Sequence, residues 1–347
     1  MQYNTLGHSD IQVSRICLGT MTWGEQNTQV EAFEQMDYAL DQGVNFWDTA
    51  ELYSVPPRAE TYGSTETMIG NWFTKTGRRS EVVLASKIAG PMGPASHIRQ
   101  GAGRFNRQQI TQALEASLKR LQTDYLDLYQ LHWPERPTNY FGRLGYEWQQ
   151  EPKDLTDFEE TLEVLTEFVR AGKIRQIGLS NETAWGTMKF LQIAEAKGLQ
   201  KIVTVQNPYS LLNRSYEVGL AEVSRHEGVG LLAYSPLGFG VLSGKYLQGA
   251  KPENSRLVLF PDYDRYLGGN AIKATELYAA LAKGNGLTPA QLALAFINSR
   301  PFVSANIIGA TNMAQLKENI ESINVTLDDE ILHQVDRIHA QYTIPAP

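Results

Sequence analysis

Eight short apolar runs, each separated from the next by polar or helical sequence, set the limits on what this chain can fold into. They read RICLG (15–19), VNFWD (44–48), VVLASK (82–87), YLDLYQLH (125–132), IRQIGLS (174–180), IVTVQ (202–206), VGLLAYS (229–235) and SANIIGA (304–310). Most are continuously apolar rather than alternating, as strands covered on both faces are. The intervening stretches carry helical periodicity. In NRQQITQALEASLKRL (106–121), Asn106 is placed to cap the first turn, and Ile110, Leu114, Leu118 and Leu121 fall on one stripe. Residues 155–169 and 183–196 read in the same way. Eight such alternations predict an α/β fold, a closed (β/α)8 TIM barrel; an open doubly wound sheet is the alternative. The opening YNTLGHSDIQVSRI, with a turn at Gly7–Asp10, predicts an N-terminal β-hairpin that plugs the barrel floor.

Long loops break the rhythm twice. One follows the fourth strand (133–154) and the other the seventh (236–270). Both leave the C-terminal ends of strands, the face on which barrels of this kind build their sites. No linker divides the chain, so residues 1–347 read as a single domain.

Composition narrows the function classes. The net charge of −7, with no basic cluster, argues against nucleic acid as a partner. There is no apolar run of about 18 residues, so no membrane span is expected. MQYNTLGHSD has no charged segment leading into an apolar one, so export is not expected. The single cysteine, Cys17, rules out an intramolecular disulfide and fits a reducing compartment. These features predict a soluble cytoplasmic protein. A homo-oligomer is compatible with the sequence, which carries no exposed apolar stripe to specify one.

Several of the apolar runs finish in polar residues: Asp48, Lys87, His132, Ser180 with Asn181, Gln206, and Tyr234 with Ser235. Alone, each reads as a solvated loop edge or a structural ion pair. Closure of a barrel brings all of them to one rim. Asp48, Lys87 and His132, together with Tyr53 in DTAELY (48–53), make chemical sense as a set. Carbonyl reduction needs a hydride donor and a proton donor at the developing alkoxide. A free phenol titrates near 10, and an adjacent ammonium lowers that value, so Lys87 is expected to pull the Tyr53 pKa down. Asp48 would hold the Lys87 charge and His132 would orient the substrate oxygen. Metal-dependent hydrolysis is the chemical rival and needs several His or carboxylate ligands. Among six histidines there is no HxH or HExxH, so no metal is expected. No GxGxxG follows the first run, and the GxG of GFGVLSGK (238–245) is a weak signal.

DTAELY (48–53), ASK (85–87) and LYQLHW (128–133) resemble the Asp, Tyr, Lys and His segments of the aldo-keto reductases. GLSNE (178–182), VQNPYSLLNR (205–214), AYSPLGFGVLSGKY (233–246) and IIGATNMAQLKENI (307–320) resemble that superfamily's cofactor segments. The resemblance runs from about residue 1 to 340 and is similar in phrasing to the bacterial Tas-like branch, itself similar to potassium-channel β-subunits. It implies an NADPH/NADP+-dependent oxidoreductase acting on a small-molecule carbonyl substrate, with Tyr53 as acid–base, Lys87 and Asp48 as its tuning pair, and His132 orienting the carbonyl. It further implies that Ser180, Asn181 and Gln206 bind the nicotinamide carboxamide and that Tyr234 stacks on the ring. Ser235, Leu237, Gly238 and Lys245 would cover the phosphates, and Arg256 with Thr311 and Gln315 would hold the adenosine 2′-phosphate. Gly309 would let the backbone approach the nucleotide, and Glu318 and Asn319 would touch adenine. The alternative reading is an NADP(H)-binding redox-sensing or regulatory module with little turnover.

Aromatic residues near the expected mouth complete the picture. Trp23 follows the first strand and Trp133 follows His132; both are expected to line the substrate pocket. Tyr140, Phe141, Tyr146 and Trp148 lie in the loop after the fourth strand. An aromatic rim would favour apolar or aromatic carbonyl compounds over small charged ones.

Overall fold

Apolar runs covered on both faces have nowhere to go in an open sheet this wide unless helices bury both sides, and here they close on themselves. The computed structural model describes residues 1–91, 97–101 and 103–347. A two-stranded antiparallel hairpin, β1 (Tyr3–Thr5) and β2 (Gln12–Ser14), precedes the barrel. The barrel strands are β3 (Ile16–Gly19), β4 (Phe46–Asp48), β5 (Val83–Ile88), β6 (Leu126–Leu131), β7 (Ile174–Ser180), β8 (Ile202–Pro208), β9 (Gly230–Tyr234) and β10 (Val303–Ile308). Each pairs in parallel with the next, and β10 closes the ring on β3. The doubly wound alternative is thereby set aside.

The hairpin does plug the floor. Leu6, Ile11 and Val13 are buried and cluster with Cys17, Phe46, Leu128 and Val203 from inside the barrel. Asn45 stitches the two together: its side chain accepts from Ser14 N (2.8 Å) and donates to Gln12 O (3.0 Å). The strand β4 begins at Phe46, two residues into the apolar run that starts at Val44.

Helices pack their apolar stripes on the outside of the strands, and side-chain caps fix where several begin. Thr28 closes a capping box with Glu31 at the start of Gln29–Asp41. Asn106 caps Arg107–Leu121, Thr183 caps Ala184–Lys197, and Asn312 caps Met313–Glu321. The helix expected over 155–169 runs Phe158–Arg170, because Asp157 is still extended at the N-cap position.

Two residues just past strand ends, Asn181 after β7 and Ser235 after β9, both have φ of 53°. A non-glycine residue in that region costs on the order of 1 kcal/mol and tends to persist where function holds it. Both lie on the C-terminal rim. A hollow of about 600 Å³, lined by residues including His8, Arg170 and Lys201, opens at the opposite end of the barrel and faces none of the expected chemistry.

Candidate active site

Strand register brings the polar ends to one level. Lys87 of β5 pairs with Gln130 of β6, and Gln206 of β8 pairs with Ser180 of β7. Lys87 is fully buried, and its ammonium donates to Asp48 Oδ2 (2.6 Å), to Thr49 O (2.8 Å) and to Tyr53 Oη (3.4 Å). The other Asp48 oxygen accepts from Gln206 Nε2 (2.8 Å) and Gln130 Nε2 (3.2 Å). Removing two charges from water is costly; here all three ammonium protons find acceptors and the carboxylate accepts three hydrogen bonds, which offsets that cost. The Tyr53 and His132 rings lie edge to face with centroids 5.8 Å apart. Among the described residues His132 Nδ1 has no hydrogen-bond partner.

The electrostatics correct one expectation. Burial of the Tyr53 phenol raises its pKa above the ordinary 10.0, and the opposing pull of Lys87 does not reverse the shift, in part because Asp48 also raises it. Lys87 therefore moderates the pKa of Tyr53 without bringing it below that of a free phenol. Burial acts against the charge of Lys87 too, but the Asp48 carboxylate and the Tyr53 hydroxyl outweigh it and hold the ammonium above its usual range. Burial, reinforced by the Lys87 charge, pushes His132 well below its usual 6.5, so the imidazole is neutral.

The residues expected around a nicotinamide ring form a connected chain along the rim. Ser180 Oγ donates to Gln206 O (2.9 Å), and Asn181 Nδ2 donates to His132 O (2.9 Å) and Ser180 Oγ (3.1 Å). Tyr234 Oη donates to Asn181 Oδ1 (2.6 Å). Asn181 thus locks three strand ends together, which accounts for its left-handed backbone. The long loop after β9 carries Ser235, Leu237 and Gly238, with Gly238 N bonded back to Ser235 O at 2.9 Å.

Lys245 has no carboxylate partner among the described residues and lies over the Tyr246 ring at 5.2 Å. Arg256 stacks on Phe239 (4.5 Å) and Tyr263 (5.3 Å), with Nη1 4.0 Å from Met21 Sδ. Its Nε is buried and has no partner among the described residues, and burial lowers its pKa. No hydrogen bond joins it to Thr311 or Gln315 among the described residues. Those two bond to each other instead, Thr311 N to Gln315 Oε1 at 3.0 Å. Glu318 accepts from Thr288 Oγ1 (2.6 Å), and Asn319 Nδ2 donates to Gly309 O (3.0 Å). A Cβ added at Gly309 would meet nothing within 4 Å, so this edge is open.

Of the aromatic residues, Trp133 lies beside Tyr53. It is buried in a mouth cluster with Ala50, Leu52, Tyr53, Ala89 and Ile98, against which Tyr140 also packs. Phe141 meets its indole edge-on at 5.7 Å. Trp23 is a correction. It is fully buried away from the mouth, its Nε1 donating to Gln35 Oε1 (3.1 Å). The turn after β3 folds its backbone back, Trp23 N to Thr20 O, and tucks the indole under helix Gln29–Asp41. Tyr146 and Trp148 are exposed.

Sequence reasoning passed over Gln130 and Glu51. A lone polar residue inside an otherwise apolar run, as in LYQLH, was the available signal for Gln130.

The sequence matches the family model described as Aldo/keto reductase family over residues 15–340. The chain belongs to that family. It is 53% identical to "Protein tas" of Escherichia coli over 347 residues, all of both chains. It is 35% identical to "Uncharacterized oxidoreductase YrpG" of Bacillus subtilis over 97% of this chain and 96% of that one. A "Probable voltage-gated potassium channel subunit beta" of Arabidopsis thaliana is 31% identical over 97% of this chain and 96% of its own. Membership makes the protein an oxidoreductase of a family that generally uses NAD(P)H and acts on small molecules. No helix among the described residues is long and apolar enough to cross a membrane.

Proposed function

We propose that this aldo/keto reductase is an NADPH-dependent enzyme that reduces aldehydes or ketones to alcohols, with Tyr53 as the general acid. The observation that carries the reading is the Lys87 ammonium, bonded to Asp48 at 2.6 Å and lying 3.4 Å from the Tyr53 hydroxyl. NADPH, when bound, would supply the hydride for the carbonyl carbon. Tyr53, kept protonated by burial, gives its proton to the carbonyl oxygen. Lys87 stabilises the phenolate left behind, and Asp48 with Gln130 and Gln206 holds Lys87 in place. The neutral His132 donates a hydrogen bond that orients the carbonyl.

The residues fit that cofactor. Among the described residues Lys245 and Arg256, in the loop after β9, have no acidic partner, and a desolvated guanidinium whose Nε is unpartnered there calls for an anion. Gly309 leaves open backbone ahead of the capped helix Met313–Glu321, a favourable end for a phosphate. In this reading Ser180, Asn181 and Gln206 meet the carboxamide, Tyr234 the ring, Ser235, Leu237 and Gly238 the bridging phosphates, and Glu318 and Asn319 the adenine. Arg256, with Thr311 and Gln315, would hold the 2′-phosphate. Trp133, Tyr140 and Phe141 line the substrate side and favour apolar or aromatic carbonyl compounds. The whole chain works as one unit in the cytoplasm, with no nucleic acid partner.

The relative named as a potassium-channel subunit supports a second reading, an NADP(H)-binding regulatory module with little turnover. A panel of aromatic aldehydes separates the two. NADPH oxidation coupled to alcohol formation supports the enzyme; tight NADPH binding with no oxidation supports the module.

A further inference from the structure

We infer that Glu51 is a positioning residue that fixes the distance between Tyr53 and Lys87; the inference rests on the reading of Tyr53 as the proton donor. Glu51 lies between Asp48 and Tyr53 in the turn after β4, and its side chain is completely buried. A buried carboxylate there is costly unless its partners are numerous and well placed. Its own N–H donates to Lys87 O at 3.1 Å. Its Oε1 accepts from Ala89 N at 2.6 Å and forms an ion pair with Arg99 Nη1. Its Oε2 accepts from Tyr62 Oη at 3.4 Å. Arg99 completes the clip, donating to Ala89 O and to Gln109 Oε1, each at 2.8 Å.

The geometry differs from that of an ordinary core ion pair. The two ends of Glu51 grip the backbone on either side of Ile88, at Lys87 and at Ala89, while Tyr53 follows two residues later. Lys87 Nζ reaches the same turn from the other side through Thr49 O. The Tyr53-bearing turn is thus stapled to the Lys87-bearing strand at its start and at its middle. An apolar residue of similar volume would fill the space but leave the Ala89 N–H and the Arg99 charge without their partner. The 3.4 Å separation is longer than a strong hydrogen bond, so a small further slip removes most of the help Lys87 gives a developing phenolate.

The test uses the full-length chain and NADPH with an aromatic aldehyde, comparing wild type, Tyr53→Phe, Glu51→Gln and Glu51→Asp. In Glu51→Gln, kcat per bound NADPH is expected to fall about 10- to 100-fold, as displacements of a catalytic group by a fraction of an ångström do. NADPH affinity is expected to stay within about two-fold, because Glu51 touches no expected cofactor contact. The alkaline limb of the kcat profile is expected to move to higher pH as the phenolate loses Lys87; the other groups facing Tyr53 (Asp48, His132 and Arg256) are unchanged. Glu51→Asp keeps the charge with a shorter reach and is expected to fall between the two. A Glu51→Gln enzyme with wild-type kcat and an unmoved limb, beside an inactive Tyr53→Phe, overturns the positioning role alone. If Glu51→Gln does not accumulate as folded protein, Glu51→Asp decides by the same two readouts. Activity retained in Tyr53→Phe instead overturns the reading on which the inference rests.

Discussion

Tyr53 holds its hydroxyl 3.4 Å from the Lys87 ammonium, yet its pKa stands above that of a free phenol. Burial is the larger influence, and it penalises the phenolate more than one flanking cation rewards it. For a general acid this is a usable balance. The proton is present at neutral pH, and the cation that makes its departure easier is already in place when charge begins to move.

Tyr53→Phe removes the phenol proton and leaves the ring in place. Turnover is expected to fall by about 10²- to 10⁴-fold, the usual worth of a positioned general acid. NADPH binding, followed by fluorescence titration, is expected to be unaffected. Wild-type turnover in the variant would reject the role.

Lys87→Met fills the same space without the charge and strands Asp48. Removing one member of a buried ion pair is expected to cost about 3–5 kcal/mol of stability, read from urea unfolding. The double variant Asp48→Asn with Lys87→Met discards both charges and is expected to recover a substantial part of that loss. Equal losses in the single and double variants would mean that the stranded carboxylate is not the source of the cost.

The barrel was legible because its evidence is periodic. Eight apolar runs survive as strands, and the caps at Asn106 and Thr183 start the helices that the pattern placed after them. Asp48, Lys87 and His132 were legible because a charged or polar residue ending an apolar run has only the rim to occupy. Trp23 misled because being next to a strand end says nothing of which way a turn folds, and one backbone bond sends the indole into the core. Glu51 and Arg99 lie 48 positions apart, and nothing in their spacing announces that the fold joins them. The net pKa of Tyr53 was illegible for a related reason. The neighbouring cation is visible in sequence, whereas the depth of burial emerges only when the mouth cluster assembles.

Arg256 stacks between Phe239 and Tyr263 with no acidic partner among the described residues. If it reads the adenosine 2′-phosphate, Arg256→Ala is expected to weaken NADPH by about 10- to 100-fold, the worth of one or two charge-assisted hydrogen bonds. NADH, which lacks that phosphate, is expected to change little. Titration of both nucleotides against the variant checks this. Equal weakening of NADPH and NADH would show that Arg256 does not discriminate between them.

His132 makes stability depend on pH in a direction that follows from its shift. Its folded pKa lies well below 6.5, so between those two values the unfolded chain carries a proton that the folded chain does not. Stability then rises with pH, and the contribution of His132 is lost progressively as pH falls below 6.5. The slope from one such group approaches about 1.4 kcal/mol per pH unit. His132→Gln keeps a hydrogen-bonding side chain without the titration. Its unfolding free energy is expected to decline less steeply than that of the wild type between about pH 6.5 and pH 5. His339, whose pKa is also lowered, is common to both proteins and cancels in the comparison. The same neutrality predicts that turnover shows no acid limb near the ordinary histidine pKa, since an imidazole held neutral takes up no proton there. Parallel unfolding curves for the two proteins across that range would place the imidazole in contact with solvent and exclude a permanently neutral His132.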